Sequence, residues 1–312
     1  MSLNLDECLA RLVTRRVEDW WCLGSRVLRR SSFPGAVLSL AESKSPISNA
    51  EARALMGRRS APIRVLSVAL APEHAGTWAL VPMVRYPHQA MTRYVLDLDG
   101  GFEQYQAGLA SSGRRKLKRS LEKYLESNEG RTEFRTYRLA AEVEEFVGFA
   151  SQVTRKTYQW KHFHMGIDES PATLHRLTLD AAAGAFRGYV LFKGGQPIAF
   201  NSAYAVGDLL IGDLMGYDPA FATSNPGFAA MNLMLRSVFE DRFRRLEFGL
   251  GDFDYKRELA TGSYVASDVF FFRPSLRNWA WVIAHRAFHG SQRAASRLVK
   301  GSRNGRRTRS LT

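Results

Sequence analysis

Two cysteines in 312 residues, Cys8 and Cys22, are too few for a disulfide-stapled scaffold and lack the spacing of a zinc site. Both are expected to be unpaired. No apolar run approaches the ~20 residues needed to cross a bilayer. The opening MSLNLDECLARLVTRR carries acids and arginines where a signal peptide needs an apolar middle, which places the chain in the cytoplasm. Short-period repeats are absent, and acidic residues vanish from Arg273 to the end, a stretch with ten Lys or Arg.

What is present is enough for real cores: 45% of residues are hydrophobic and 12% aromatic. Lys and Arg number 44 against 30 Asp and Glu, a net charge of +14 that favours phosphates, nucleic acid or an anionic membrane. The charge concentrates in SGRRKLKRSLEKY (residues 112–124) and in the C-terminal stretch. The last residues, GSRNGRRTRSLT, have too little to bury and read as a disordered basic tail, either solubilising or partner-binding.

The order of elements is informative. LDECLARLVTRRVEDWW has apolar residues at helical spacing, and GAVLSLAE, PIRVLSVALA, TWALVPMVRY and TRYVLDLD read as strands. Residues 1–100 therefore form a first unit. After the turn at Asp99-Gly100-Gly101 come a helix, FEQYQAGLA, and a basic helix from Arg114 to Leu125. TEFRTYRL predicts a strand, EVEEFVGFASQVTRKTY a helix, and SPATLHRLTLDAAAGAF a helix with a Ser-Pro start. RGYVLFKGGQPIAFNSAYAV and DLLIGDLMGY predict three antiparallel strands, NPGFAAMNLMLRSVFEDRF a helix, and RRLEFGLG a returning strand. Residues 101–275 make the second unit, and 276–312 a helix followed by the tail.

A helix start offers unpaired N–H groups and partial positive charge, so it can hold a phosphate. In ATSNPG, Gly227 permits close approach while Ser224 and Asn225 can cap or donate; an ordinary capped helix explains the same residues. Gly212 and Gly216 interrupt the strand before it, which marks a bulge or the approach of a ligand. If two edge strands splay there, a pantetheine-like arm can bond to the open edge while its pyrophosphate rests on the helix, the geometry of acyl transfer from coenzyme A.

Three segments carry a family resemblance: SGRRKLKRSLEKY; GGQPIAFNSAYAVGDLLIGDLMGYDPAFATSNPGFAAMNLML; and LEFGLGDFDYK. From about Ser112 to Lys256 the chain resembles the acetyltransferase-like domain of CelD-type polysaccharide proteins, a branch of the GNAT superfamily related to the FemABX aminoacyltransferases. The resemblance implies an α/β (α+β) GNAT-like mixed sheet flanked by helices. It also implies two GNAT-like halves, the first over residues 1–100. The expected donor is acetyl-CoA, with no metal, and the acceptor an amine or hydroxyl of a sugar- or amino-acid-containing small molecule. TSNPG stands in place of the Q/R-x-x-G-x-G/A phosphate signature of ordinary GNAT acetyltransferases. Aminoacyl-tRNA therefore stays open as the donor, as in the Fem relatives, and so does a non-catalytic binding role.

Acyl transfer needs a deprotonated acceptor, a donor to the oxyanion and a proton for the leaving group. Backbone N–H groups of Leu214, Met215 and Gly216 are candidates for the oxyanion. Tyr217 and Tyr255 are candidate proton donors, though either can be a packing residue. Glu247, Asp213, Asp252 and Asp254 are acids from which sequence selects no base; strict alternation puts Asp213 toward solvent. Glu247 points into the cleft or pairs with Arg245 or another arginine. The resemblance gives Lys256 the task of neutralising charge at the acceptor or the donor phosphate; alone it reads as a solvated loop cation. Arg114, Arg115 and Lys118 belong to a basic helix start that costs about 0.3–1 kcal/mol per terminal charge unless anions offset it. Trp160, with His162 and His164, is placed to line an acceptor pocket, and Asp254 joins the substrate set. His285 and His289 share a helix face without a third metal ligand. The Trp-containing helix around Trp279 and Trp281 either lies on an anionic membrane or packs on the domain.

Overall fold

The computed structural model describes residues 13–23, 26–39, 63–69, 84–163, 165–249 and 251–291. In chain order the strands and helices are β1 (Val13–Leu23), β2 (Arg26–Ser39), β3 (Ile63–Ala69), β4 (Val84–Asp97), α1 (Phe102–Gly108) and α2 (Ser111–Ser127). There follow β5 (Phe134–Tyr137), α3 (Val143–Thr154), α4 (Tyr158–Phe163), α5 (Pro171–Ala182), β6 (Phe186–Lys193), β7 (Gln196–Val206) and β8 (Leu209–Tyr217). A 3-10 turn, Pro219–Ser224, leads into α6 (Pro226–Phe239), then β9 (Arg245–Glu247), α7 (Asp254–Leu259) and β10 (Gly262–Phe272). A last helix, α8, covers 276–291.

The chain divides into two compact units, one of residues 1–90 with 266–312 and one of 91–265. The first draws on both ends of the chain, a partition that no single cut of the sequence can give. In it β1 pairs antiparallel with β2, β2 parallel with β3, and β3 antiparallel with residues 266–271 of β10. The N-terminal helical expectation is overturned for Val13–Leu23, which is strand. Its β-branched and aromatic residues suit a pleated ladder, and an eleven-residue pairing with β2 outweighs the helical spacing. Residues 1–12 and 292–312, which include the expected tail GSRNGRRTRSLT, lie outside the described residues. Of the expected strand TWALVPMVRY, residues 77–83 lie outside the described residues, and its last three run without a break into TRYVLDLD as one strand over 84–97. Tyr86, Phe270, Phe272 and Val282 form a small core with Trp279 and Trp281 packed on it, so these tryptophans take the packing alternative. His285 and His289 do share a face of α8, with their Nε2 atoms 3.0 Å apart. Among the described residues no helix is long and apolar enough to cross a membrane.

The second unit is a mixed sheet in the order β10-β4-β9-β8-β7-β6-β5, to which β10 contributes 262–265 and β4 contributes 91–97. β4 pairs antiparallel with β9, and β5 with β6, β6 with β7 and β7 with β8 do likewise, whereas β8 and β9 pair parallel, with α6 crossing over between them. β6 is buried on both faces. Tyr189 joins α1, α2 and α6 residues such as Tyr105, Leu117 and Leu235, whereas Val190 and Phe192 join Phe146, Val147 and Leu177 of α3 and α5. Ser170 caps α5 by accepting from the Thr173 N–H, and Pro171 fills the first helical position. β10, read as no element in the sequence, is a strand whose Tyr264, Val265 and Val269–Phe272 carry strong β propensity.

Candidate active site

β8 is paired with β9 only over Leu209, Leu210 and Ile211, opposite Arg245, Leu246 and Glu247. β8 then runs on to Tyr217 with β7 on its other side, so its last six residues have no β9 partner. The chain after Glu247 turns away at Gly249, at φ 72°, where an added Cβ would collide with the Gly212 carbonyl oxygen. The expected splay is thus present, between adjacent parallel strands rather than edge strands.

A β-bulge shapes the open segment. Asn201 faces Met215 and Ala203 faces Gly212, leaving Ser202 of β7 opposite both Asp213 and Leu214. The Ser202 hydroxyl patches the break, accepting from the Leu214 N–H at 3.2 Å and donating to the Leu214 carbonyl at 3.3 Å. Asp213 lies on the exposed side of β8, as alternation leads one to expect, and its side chain, 30% accessible, also borders a cavity. Burial raises its pKa, opposed by Arg176 at 3.7 Å.

Three hollows follow one another along this side of the unit. The innermost, about 40 Å³, is lined by Asn201, Asp213, Met234, Glu247, Phe248 and Tyr255, among others. It shares Met215, Met231 and Tyr255 with a second, of about 170 Å³, that also touches Tyr217, Asn225, Gly227 and Phe228. Asn225 also lines a third, open groove of about 720 Å³ along α2, with Arg115, Lys116, Arg119 and Lys123.

The start of α6 reaches the second hollow. Asn225 is left-handed (φ 52°), Pro226 occupies the first turn, and no side chain caps the helix. Ser224 and Asn225 therefore do not cap as expected; the buried Ser224 hydroxyl donates to the Phe221 carbonyl. A Cβ on Gly227 would come within 3.3 Å of the Tyr217 ring, so that glycine keeps Tyr217 against the helix start.

Beyond the splay, FDYKREL was read as loop but Asp254–Leu259 is a helix. This buries Lys256, which is 2% exposed and donates to the Gly249 carbonyl at 3.0 Å, correcting the solvated-loop alternative. Desolvation lowers its pKa to about 8, helped by Arg93 and opposed by Glu247 and Asp252. Lys256 lines none of the three hollows; Tyr255, its neighbour, lines two. Burial pushes the Tyr255 phenol up to about 12, and its hydroxyl reaches the Met215 Sδ at 3.4 Å, a bar between the inner hollows.

Glu247 is wholly buried, ion-paired with Arg93 at 2.7 Å and accepting a short hydrogen bond from the Tyr264 hydroxyl. Arg245, the partner considered from sequence, pairs with Asp97 instead. Asp252 accepts from Tyr94 and Arg257, which lower its pKa, and the exposed Asp254 pairs with Arg257. Arg93, Tyr264 and Asn201 went unnoticed in the sequence, because nothing local marks a pairing across 154 positions or an isolated amide in a strand.

On α2, Arg115 lines the groove whereas Arg114 and Lys118 do not; Arg114 donates to the Ala107 carbonyl and Lys118 lies 3.8 Å from Glu122. Gly113 lets the helix approach α7, since a Cβ there would come within 2.9 Å of the Glu258 carbonyl oxygen. Lys116 is then held by Glu258 at 2.9 Å, with its ammonium over the Phe228 ring. Trp160 is half-buried on α4 and lines none of the hollows; His162 is on the same helix, and His164 lies outside the described residues.

Residues 111–257 match the family model of an acetyltransferase (GNAT) domain. The chain carries a GNAT domain. That domain is an acyltransferase domain, and the described mixed sheet with its parted parallel strands is its fold. Among solved structures, FemX superposes with a TM-score of 0.53 at 9% identity, covering 88% of this chain and 91% of that one. A C-terminal domain (DUF2156) assigned to a lysylphosphatidylglycerol synthetase of Agrobacterium fabrum gives 0.51 at 12% identity, covering 81% and 82%. A conserved protein of unknown function from Bacteroides thetaiotaomicron gives 0.51 at 11%, covering 78% and 80%. At these identities the likeness is one of fold. No curated protein matches the sequence.

Proposed function

We propose that this GNAT acyltransferase moves an acetyl group from acetyl-CoA to an amine or hydroxyl of a sugar- or envelope-related small molecule. The observation that carries the reading is the parting of β8 from β9 directly before the uncapped start of α6. An extended arm with amide groups can lie along the part of β8 that β9 leaves uncovered, and a pyrophosphate can rest on the N–H groups beside Gly227. The hollows of about 170 and 40 Å³ continue that path inward. The resemblance to CelD-type domains supports the choice of acceptor, and the acid-free stretch from Arg273 supports work beside an anionic membrane surface.

In this reading the acceptor attacks the acyl carbon directly within a ternary complex, since no serine or cysteine lies in a nucleophile motif. Asp213 takes the acceptor's proton: of the four acids considered, Glu247 is clamped by Arg93 and Tyr264, and Asp252 and Asp254 are tied to Arg257. Tyr255, protonated at neutral pH, gives a proton to the leaving thiolate, and Tyr217 shapes the mouth beside Gly227. Glu247 and Lys256 act as positioning residues that hold the chain after β9 in its turn.

Thermal denaturation of the purified chain with coenzyme A and with acetyl-CoA tests this, because a ligand bound to the folded state raises Tm. A rise with both is expected; no shift with either removes this donor. Aminoacyl-tRNA is a second reading, favoured by the stripe Arg115, Arg119 and Lys123 beside Asn225. Four-residue steps on a helix place these cations about 6 Å apart along the axis, suited to successive phosphates. Salt-sensitive tRNA binding without any coenzyme A effect would select it.

A further inference from the structure

Buried asparagines elsewhere in this unit have partners: Asn128 donates to the Arg131 carbonyl at 2.9 Å and Asn232 to the Leu117 carbonyl at 3.0 Å. Asn201 does not. It is 3% exposed, and its Nδ2 has no hydrogen-bond partner among the described residues. A buried amide donor left unpaired destabilises the fold, and an apolar residue of the same size on β7 would avoid that cost. Its surroundings suggest a compensating use, because Asn201 lines the inner hollow and faces Met215, on the part of β8 that β9 does not cover.

We propose that Asn201 donates its side-chain amide hydrogen to the carbonyl oxygen of the acyl group in transfer. The inference rests on the acyl-transfer reading of the site. The Leu214 N–H, a candidate for that oxygen from sequence, is already taken by Ser202. The other polar side chains around the hollow are spoken for or of the wrong kind. Asp213 and Glu247 are carboxylates that accept, the Ser202 hydroxyl donates to Leu214, and the Tyr255 hydroxyl, which lies against Met215, is used in this reading for the leaving atom. Asn201 is the lining side chain with an uncommitted donor.

As the acceptor's nitrogen or oxygen bonds to the acyl carbon, the carbonyl π electrons move onto oxygen. The Asn201 N–H then faces an oxyanion, to which its hydrogen bond is stronger than to the ground-state carbonyl. Collapse restores the C=O and breaks the bond to the leaving group. The acceptor's proton goes to Asp213 and a proton from Tyr255 goes to the leaving atom. The oxygen is the same whether the donor is a thioester or an aminoacyl ester.

The test uses the full chain, Asn201→Leu, which keeps the volume without the donor, and Asn201→Ala in case leucine does not fit. Without ligand, at least one variant is expected to melt at or above the wild-type temperature, because each removes an unpaired buried group. Acetyl-CoA and coenzyme A differ by the acyl carbonyl. The wild type is expected to prefer the former by about fivefold to tenfold, the worth of one hydrogen bond, and the variants to lose that preference while keeping their affinity for coenzyme A. If the wild type binds neither, the acetyl-CoA reading fails, and the comparison passes to aminoacylated against uncharged tRNA with the same expected loss. Both variants melting lower, the preference surviving them, or the wild type preferring neither acylated donor would overturn the role of Asn201.

Discussion

Arg93 and Glu247 meet at 2.7 Å with side chains 4% and 0% exposed, so each charge is out of water and answered chiefly by the other. The pair ties β4 to the end of β9, where the sheet begins to part. Breaking such a pair from one side strands a buried charge and typically costs about 3–5 kcal/mol. Glu247→Ala is expected to lower the free energy of unfolding, read as a fall in the urea midpoint, by an amount in that range, and Glu247→Gln by less, since the amide still accepts from Tyr264. Urea denaturation of Glu247→Ala with an unchanged midpoint would show that the ion pair does not hold this end of β9.

Lys256 makes stability depend on pH with a definite sign. Its folded pKa, about 8, lies below the ordinary 10.5, so the fold disfavours the charged amine. That penalty is present in full below pH 8 and is relieved as pH rises toward 10.5, because the unfolded chain binds the extra proton in this window. Between pH 8 and 10.5 the wild type should therefore gain stability relative to Lys256→Met. Urea midpoints of both proteins across that interval measure the difference; parallel curves would mean that Lys256 is not desolvated.

Much of this unit was legible because local and global signals agree. The strands from Phe186 to Tyr217 are punctuated by Gly194, Gly195 and Gly207, all at positive φ, and Ser170-Pro171 and Pro226 mark helix starts that the fold uses. The parting of β8 and β9 was also foreshadowed, by Gly212 and Gly216. What could not be read depends on registers and distant partners. Alternation puts Asp213 on the exposed side of β8, where the fold has it, but that its side chain also borders a hollow depends on Glu247, Phe248 and Tyr255, which arrive from distant elements. Lys256 beside Arg257 reads as a solvated pair, yet the helix turns one inward and leaves the other to Asp252 and Asp254. The basic helix was identified as a whole, but its rotation, set by Gly113 against α7 and Asn232 on the Leu117 carbonyl, decides which cations face the groove.

Gly249 sits at φ 72° against the Gly212 carbonyl, so a methyl group there meets both an unfavourable backbone conformation and the neighbouring strand. Gly249→Ala is expected to cost about 1–3 kcal/mol and to disturb the splay, lowering donor affinity as well as Tm. Gly148, with open space around its Cβ position, is the control, and Gly148→Ala should leave donor affinity unchanged. Equal behaviour of the two variants in melting and donor-binding measurements would remove the close approach as the reason for a glycine at 249.

The rotation of α2 predicts a split among its cations. Arg119→Ala and Lys123→Ala remove charges that line the groove, whereas Arg114→Ala and Lys118→Ala remove charges outside it. The first two should weaken donor binding several-fold, and with a nucleic-acid donor each should reduce the salt slope by about one. The second two should leave both unchanged. Affinity measured at several salt concentrations decides, and uniform effects across all four would reduce the groove to a diffuse positive field.

Asp213 is the acid whose environment suits proton transfer: it borders the inner hollow, burial raises its pKa, and Arg176 at 3.7 Å only partly opposes that shift. A base with a raised pKa holds the acceptor's proton better once it has taken it, and must first be ionised. Activity should therefore rise with pH through an acid limb that reports Asp213. Asp213→Asn, close in shape but unable to take the proton, should lower kcat by about 10²–10⁴-fold and abolish that limb. Asp252→Asn supplies the contrast, because its carboxylate answers Tyr94 and Arg257 and its pKa is lowered, so its removal should leave the limb in place. If Asp213→Asn keeps the wild-type pH profile, proton removal falls to bulk water or to the acceptor's own ionisation, and the inner hollow serves binding alone.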